Sequence, residues 1–248
     1  MKTVAIIQAR MNSTRLPGKI LLNLFGKSIL GHVIERVAAS KNVDEIIIAT
    51  TESEIDRLIT TEAKKYGARS FQGSESDVLS RYYFAAKENK ADAIVRITSD
   101  CPLYDPDVLT LMLDQFSNSI ASDNKCDYLS NIIPRTFPRG LDTEIFTFDA
   151  LGRTHREADK PHQREHVTPF IHEHPEIFTI HNHAGKVDLS GHRWTLDTED
   201  DLRFVEAVYA GVYRADKQFS TDDVLQFLQK SPETCLLNAY VEQKKLVQ

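Results

Sequence analysis

Cysteine is scarce in this chain of 248 residues. The three present, Cys101, Cys126 and Cys235, lie far apart and form no C-x-x-C pair. That spacing excludes a disulfide frame and a zinc ribbon, and it reads as reduced thiols in a cytosol. Long apolar runs are missing as well. The first run, Val4 to Ile7, is too short for the core of a signal peptide, and no run approaches the ~18 residues of a membrane span. The expected place is the cytoplasm, with no membrane partner. Excess positive charge is also absent. The formal net charge is −6, which argues against a nucleic-acid partner, since such proteins usually carry a basic face. Two common phosphate motifs are lacking: no G-x-G-x-x-G follows the first apolar run, and "FGKS" at 25–28 lacks the glycine that a Walker A loop needs at position 21, where Leu21 stands. No repeat, low-complexity segment or Gly/Ser linker interrupts the chain.

What remains is an ordinary composition, 41% apolar and 27% charged, on a chain long enough to bury a sizeable core. The first half alternates strand-like and helix-like stretches. Residues 3–7, 45–50, 69–72 and 93–98 read as strands; residues 28–39, 54–66, 77–89 and 106–116 read as helices. Ser28 is placed to cap the first helix, Gly67 to end the second, and Pro106 to open the fourth. This order predicts an α/β fold, a Rossmann-like, mainly parallel sheet with helices on both faces. The second half is less regular. Strand-like pieces fall within 127–148, at 178–183 and at 192–197; helices are expected within 149–174, 199–213 and 221–229. A single domain over 1–248, with residues 127–192 adding a small inserted lobe, fits this pattern better than two domains.

Ligands of such sheets bind at the carboxyl ends of the strands. Two loops should therefore line a site: 8–19 after the first strand and 99–104 after "AIVRIT". In the first, "QARMNSTRLPGK", the cations Arg10, Arg15 and Lys19 gather around a Pro17-Gly18 turn. Arg15 offers a planar fork to an oxyanion and Lys19 a compact charge, so the loop is either an anion cradle or a solvated basic loop. Its position at a strand end favours the cradle.

"QARMNSTRLPGK" resembles the N-terminal signature of the cytidylyltransferase superfamily, which includes the enzymes that make CMP-sugar acids. The likeness is greatest to the spore-coat polysaccharide biosynthesis branch, whose members often carry the label of glycosyltransferase family protein. "RITSDCPL" (96–103), "FPRGLDTEIFTFDAL" (137–151), "REHVTPFI" (164–171) and "RWTLDTEDDLRFV" (193–205) extend the resemblance over most of the chain. It implies nucleotidyl transfer: an acceptor oxygen attacks the α-phosphorus of CTP or another nucleoside triphosphate, pyrophosphate leaves, and Mg²⁺ assists. It places Arg10, Arg15 and Lys19 on the phosphates, with Arg15, Lys19 and Asp100 as the catalytic set, and Asp100 and Asp197 as metal ligands. Gln8, Ala9, Thr98, the segment 73–77 and Arg81 become candidates for the rest of the nucleotide. Without the resemblance, Asp100 reads equally as a turn residue before Pro102 and Asp197 as a helix cap.

The acceptor side is expected in the second half, where Arg139, Asp142 and Glu144 of "PRGLDTE" and Arg164, Glu165 and His166 of "REH" are polar groups in packable segments. The arginines would suit a carboxylated or phosphorylated sugar, and Glu144 or His166 could accept the hydroxyl proton; a structural salt-bridge network among the six is the alternative. Octulosonate-type relatives carry an acid where Asp100 stands and sialic-acid types do not, so the acceptor is left open. The resemblance also implies a homodimer. Eight of the nine histidines lie between residues 155 and 192. Lacking H-E-x-x-H and any cysteine partner, they read as surface or acceptor-site groups in preference to a zinc site. Two other functions compete: a nucleotide-sugar-dependent glycosyltransferase, disfavoured because "SDC" supplies one acid of the usual D-x-D, and a nucleotide-binding subunit without turnover.

Overall fold

The computed structural model describes residues 1–121 and 125–243. In chain order the elements begin with β1 (Thr3–Gln8), a small antiparallel ribbon of β2 (Asn23–Leu24) and β3 (Lys27–Ser28), α1 (Ile29–Ala38), β4 (Glu45–Thr51), α2 (Arg57–Lys65) and β5 (Arg69–Gly73). They continue with α3 (Val78–Glu88), β6 (Ala93–Thr98), α4 (Pro106–Ala121), β7 (Tyr128–Ser130), β8 (Glu144–Thr147) and α5 (Phe148–Glu157). The last are α6 (Pro161–His166), α7 (Pro169–Glu173), β9 (Ile180–Asn182), α8 (Glu199–Val212) and α9 (Thr221–Lys230).

Seven strands form one sheet in the order β5-β4-β1-β6-β8-β7-β9. β1 lies in its interior, parallel to both β4 and β6. Its sequence explains the position. Val4 and Ile6 face one layer and Ala5 and Ile7 the other, all four with no exposure, which is the pattern of a strand covered on both faces. One face packs against α1, α2 and α4 through Leu30, Val33, Ile59 and Leu113; the other packs against α3, α5 and α7 through Tyr82, Leu151 and Ile171. Truncating a fully buried residue such as Leu30 to alanine should cost about 2–5 kcal/mol.

The expected caps are in place. Ser28 Oγ accepts the Gly31 N–H at 2.9 Å, and Gly67 takes a left-handed φ of 74°. α4 runs five residues beyond the expected end at 116, to Ala121. Residues 127–192 build onto the sheet: β8 is antiparallel to both β6 and β7, and β9 extends it in parallel.

One expected strand does not form. Within 192–197 the chain makes a single bridge, Arg193 to Arg139. The reason is that its amides are shared between two different segments. Trp194 N–H donates to Arg139 O at 2.7 Å, and Leu196 N–H donates to Asp100 O at 2.8 Å. The segment therefore crosses from one neighbour to the other and builds no ladder. Trp194 and Leu196 anchor it in a third apolar cluster with α8, α9, Leu24 and Leu103.

Candidate active site

The 9–19 loop leaves β1 at its carboxyl end and is held before any ligand arrives. Asp56, buried, accepts the Met11 N–H at 2.8 Å and the Thr51 hydroxyl at 2.5 Å. Met11 O in turn accepts the N–H groups of Ser13 and Gly18, both at 2.9 Å. Gly18 has φ +69°, a conformation a side chain would resist. The turn points Lys19, only 7% exposed, across the sheet end.

There Lys19 meets both predicted acids. Its ammonium donates to Asp100 Oδ2 at 2.7 Å, Asp197 Oδ1 at 2.8 Å and Leu196 O at 2.6 Å. An ammonium has three donors, and all three are engaged. Arg15 reaches Asp197 Oδ2 at 2.7 Å. Arg193 joins from the other side, to Asp197 Oδ2 at 2.9 Å and to Asp201, which has no exposure, at 2.9 and 3.0 Å. Burial alone would lower the Lys19 pKa, but Asp100 and Asp197 outweigh it and hold the ammonium above the ordinary lysine value. Burial likewise works to raise the Asp197 carboxyl, and Lys19, Arg15 and Arg193 overcome it, so this group stays ionised below the usual aspartate range. The N-cap of α8 is Thr198, in a capping box with Asp201, so Asp197 is left for the cleft.

The remaining nucleotide candidates lie along the same sheet end. Gln8 Oε1 accepts from Tyr82 at 3.3 Å and Arg96 at 3.4 Å. The Ala9 N–H is spent on Ala49 O, and the Thr98 hydroxyl lies 3.2 Å from Cys101 Sγ. Arg10 is exposed and makes no hydrogen bond or ion pair with the described residues. Arg81 is 3% exposed, yet its Nε and Nη1 have no partner among the described residues. Burial lowers its pKa, and Arg10 nearby adds to the effect. A buried guanidinium left short of acceptors is costly, which marks this spot as awaiting one.

The six acceptor candidates do not come together. Glu144 is buried on β8 and is taken up by Arg96, by the Tyr128 and Thr168 hydroxyls at 2.6 Å each and by His172 at 3.8 Å. Burial pushes its carboxyl up, and Arg96 foremost holds it below the ordinary range. It is a packed counter-ion with no open face. Arg164 pairs with Asp77 and with the His155 and Ala158 carbonyls, fixing α6 against α3. Glu165 is exposed, and His166 is half-buried at the end of α6. Asp142 forms a two-pronged pair with Arg135 at 2.5 and 2.7 Å. The salt bridges of this region thus run to residues outside the candidate set. The Arg139 backbone bonds to His192 and Trp194, but its guanidinium has no hydrogen bond or ion pair among the described residues, and Gly140 beside it has φ +109° and passes so close to Trp194 that an added Cβ would lie 2.7 Å from its carbonyl carbon.

The histidines are engaged one by one. His172 meets the Tyr128 hydroxyl at 2.8 Å, His183 meets Gln115 at 2.7 Å, and His155 stacks on Tyr83 with centroids 4.2 Å apart. Among the described residues no three metal-ligating side chains gather at one point. Arg193 and Asp56 were missed in the sequence. Arg193 had a signal, since it stands four residues before Asp197 and eight before Asp201; Asp56 had none.

A family model described as cytidylyltransferase matches residues 4–246. The chain belongs to the cytidylyltransferase family. Its sequence is 32% identical to the spore coat polysaccharide biosynthesis protein SpsF of Bacillus subtilis, over 92% of this chain and 94% of that one. Its fold superposes on a cytidylyltransferase from Leptospira borgpetersenii with a TM-score of 0.90 and 37% identity, over 99% of each chain. A CMP:2-keto-3-deoxy-manno-octonic acid synthetase solved with CTP shares the fold at a TM-score of 0.63 and 20% identity, over 85% of this chain and 99% of that one. For this cytidylyltransferase family member, no helix among the described residues is long and apolar enough to cross a membrane.

Proposed function

We propose that this protein transfers CMP from CTP to a sugar acid or related acidic sugar, releasing pyrophosphate, for surface polysaccharide biosynthesis, as a cytoplasmic homodimer. The observation that carries the reading is the meeting of Lys19, Arg15, Asp100 and Asp197 at one end of the sheet. The likeness to SpsF supports the pathway, and the CTP complex of the octonic acid synthetase supports the nucleotide.

Asp100 Oδ2, Asp197 Oδ1 and Leu196 O all accept from one ammonium, so they converge on one cation position. Two carboxylates beside a phosphate suit Mg²⁺, a hard ion that prefers oxygen. Asp100 and Asp197 would hold it, and when bound it would neutralise charge on the triphosphate and polarise the α-phosphate. The chain's own contribution is placement and charge. The acceptor hydroxyl oxygen forms a bond to the α-phosphorus, its proton passes to solvent water, and the bond from that phosphorus to the bridging oxygen breaks, its electron pair leaving with pyrophosphate. Charge grows on the departing pyrophosphate, and Arg10, Arg15 and Lys19 are the groups able to meet it. For Lys19 to bind a phosphate oxygen it must give up one of its three present contacts. Arg10 is free to bind at once. Arg81, close to Arg10, is suited to the base or ribose.

The test is a pyrophosphate-release screen with CTP, UTP, ATP and GTP against sugar acids and sugar phosphates, with Mg²⁺. Release with CTP and an acidic sugar, lost in Asp100→Asn, is the expected result. Release of a nucleoside diphosphate, or turnover that Asp100→Asn leaves intact, would refute the reading.

A further inference from the structure

Asp56 is 1% exposed and ends a short 3-10 helix, Glu54–Asp56, that leads into α2. An aspartate at a helix start ordinarily turns its carboxylate onto the first amides of that helix. Asp56 makes no such cap to α2. It reaches for two other segments: Oδ1 accepts the Met11 N–H at 2.8 Å, and Oδ2 accepts the Thr51 hydroxyl at 2.5 Å. Both donors are neutral, and no cation among the described residues touches the carboxylate. A carboxylate buried without a contacting cation is costly, and local capping does not account for it. The bond to Met11 falls at the pivot of the cradle. The Met11 N–H and the Arg10 carbonyl belong to one planar peptide, so holding that amide also fixes the backbone from which Arg10 projects. On its other side, Met11 O accepts the N–H groups of Ser13 and Gly18 at 2.9 Å each. Gly18 opens the turn that sends Lys19 to Asp100 and Asp197. Met11 is therefore clamped at both its amide and its carbonyl, and one carboxylate closes the clamp. The other oxygen of that carboxylate refers the loop to the sheet, since Thr51 ends β4 and is braced by the Ser53 N–H at 3.1 Å. Asp56 is also a neighbour of Arg81: burial lowers the Arg81 pKa first of all, Arg10 adds to the lowering, and Asp56 opposes it.

We propose that Asp56 is a positioning residue of the nucleotide site: acting through Met11, it holds Arg10 and the turn that carries Lys19 in place before a triphosphate arrives. This role rests on the function proposed above. A loop already held need not be ordered at the moment of binding, and the ordering saved appears as affinity for the nucleotide.

The test is calorimetric titration of the full chain with CTP in Mg²⁺, read as Kd and as the fraction of protein that binds. Asp56→Ala releases Met11 and should raise Kd roughly ten-fold or more with that fraction unchanged. Asp56→Asn keeps an acceptor for the Met11 N–H and should stay within about three-fold of the native Kd. Thr51→Val removes the other partner of the carboxylate and leaves the Met11 bond; it should lower Tm and keep the native Kd. A carboxylate that served stability alone would give a different pattern, with Asp56→Ala and Thr51→Val both melting lower and both binding at the native Kd in a smaller fraction of the protein. If the alanine variant does not fold, Asp56→Ser takes its place, since it keeps a polar group near Thr51 and is one atom short of Met11. A native Kd in Asp56→Ala or Asp56→Ser overturns the proposal and leaves the CTP reading standing. So does a Kd raised as far by Thr51→Val or by Asp56→Asn as by Asp56→Ala. A native chain that takes up no CTP overturns both.

Discussion

Replacing Lys19 by methionine keeps the length of the side chain and removes its charge. Three short contacts go with it, at 2.6 to 2.8 Å, from an ammonium whose side chain is 8% exposed to carboxylates that are 20% and 15% exposed. Removing one partner of a buried ion pair costs about 3–5 kcal/mol, because the other charge is stranded. Here the loss is tempered on one side. Asp197 keeps Arg15 and Arg193, whereas Asp100 has Lys19 as its only ion-pair partner among the described residues. A net loss of about 3 kcal/mol follows, which for a chain of this size lowers Tm by roughly 6–12 °C. The measurement is scanning calorimetry of both proteins in EDTA and again in Mg²⁺. In EDTA the variant should melt lower by that amount. In Mg²⁺ it should recover more than the native protein gains, because a divalent ion can then take the place of the lost ammonium between the two acids. Equal melting in EDTA, or no differential recovery in Mg²⁺, would show that Lys19 and the two acids are not energetically joined. If Lys19 meets a phosphate as proposed, CMP transfer by the variant should fall ~100-fold or more, the loss of one charge contact in the transition state.

Three further outcomes follow from neighbouring parts of the structure. Arg193→Gln strands Asp201, which has no exposure, and should cost about 3 kcal/mol in urea unfolding while raising KM for the nucleotide. Gly140→Ala puts a Cβ 2.7 Å from the Trp194 backbone at a φ of +109°; strain and clash together should cost about 2–5 kcal/mol, read as a lower urea midpoint. His32, His155, His172, His183 and His192 all have pKa values lowered by burial first of all. Their stability contribution is complete above the unfolded histidine pKa of about 6.5 and is lost as pH falls below it. Tm should therefore drop steadily on acidification from about pH 7 to pH 5, and His32→Gln should flatten that slope.

The strands β1 and β4 were legible because each holds an unbroken apolar run beside polar turns, Val4 to Ile7 in one and Ile46 to Ala49 in the other. The helices were legible from single punctuating residues, Ser28 and Gly67 among them. The convergence of Arg15, Lys19, Asp100 and Asp197 was legible from topology plus resemblance, since parallel strands deliver their following loops to one end. What failed was pairing set by distant partners that neither topology nor resemblance pointed to. The stretch 192–197 has the alternation of a strand, but Arg139 and Asp100 each claim one of its amides. Glu144 looks available in sequence, yet Arg96 on the adjacent strand β6 takes it up. Arg164 looks ready for a substrate, yet Asp77 lies within its reach. Polarity in the sequence says that a partner is needed and not which partner.

The cleft end of the sheet matches three cations, Arg15, Lys19 and Arg193, with three carboxylates, Asp100, Asp197 and Asp201. Before any substrate arrives, these six charges cancel, and beside them Arg10 projects to solvent a charge unanswered among the described residues. Stray sulfate or chloride has little to attract it there. On the proposed function, a visitor would do best to bring its own positive ion along with its negative charge, so the pocket would favour the metal salt of a nucleotide over the naked triphosphate before the chemistry begins.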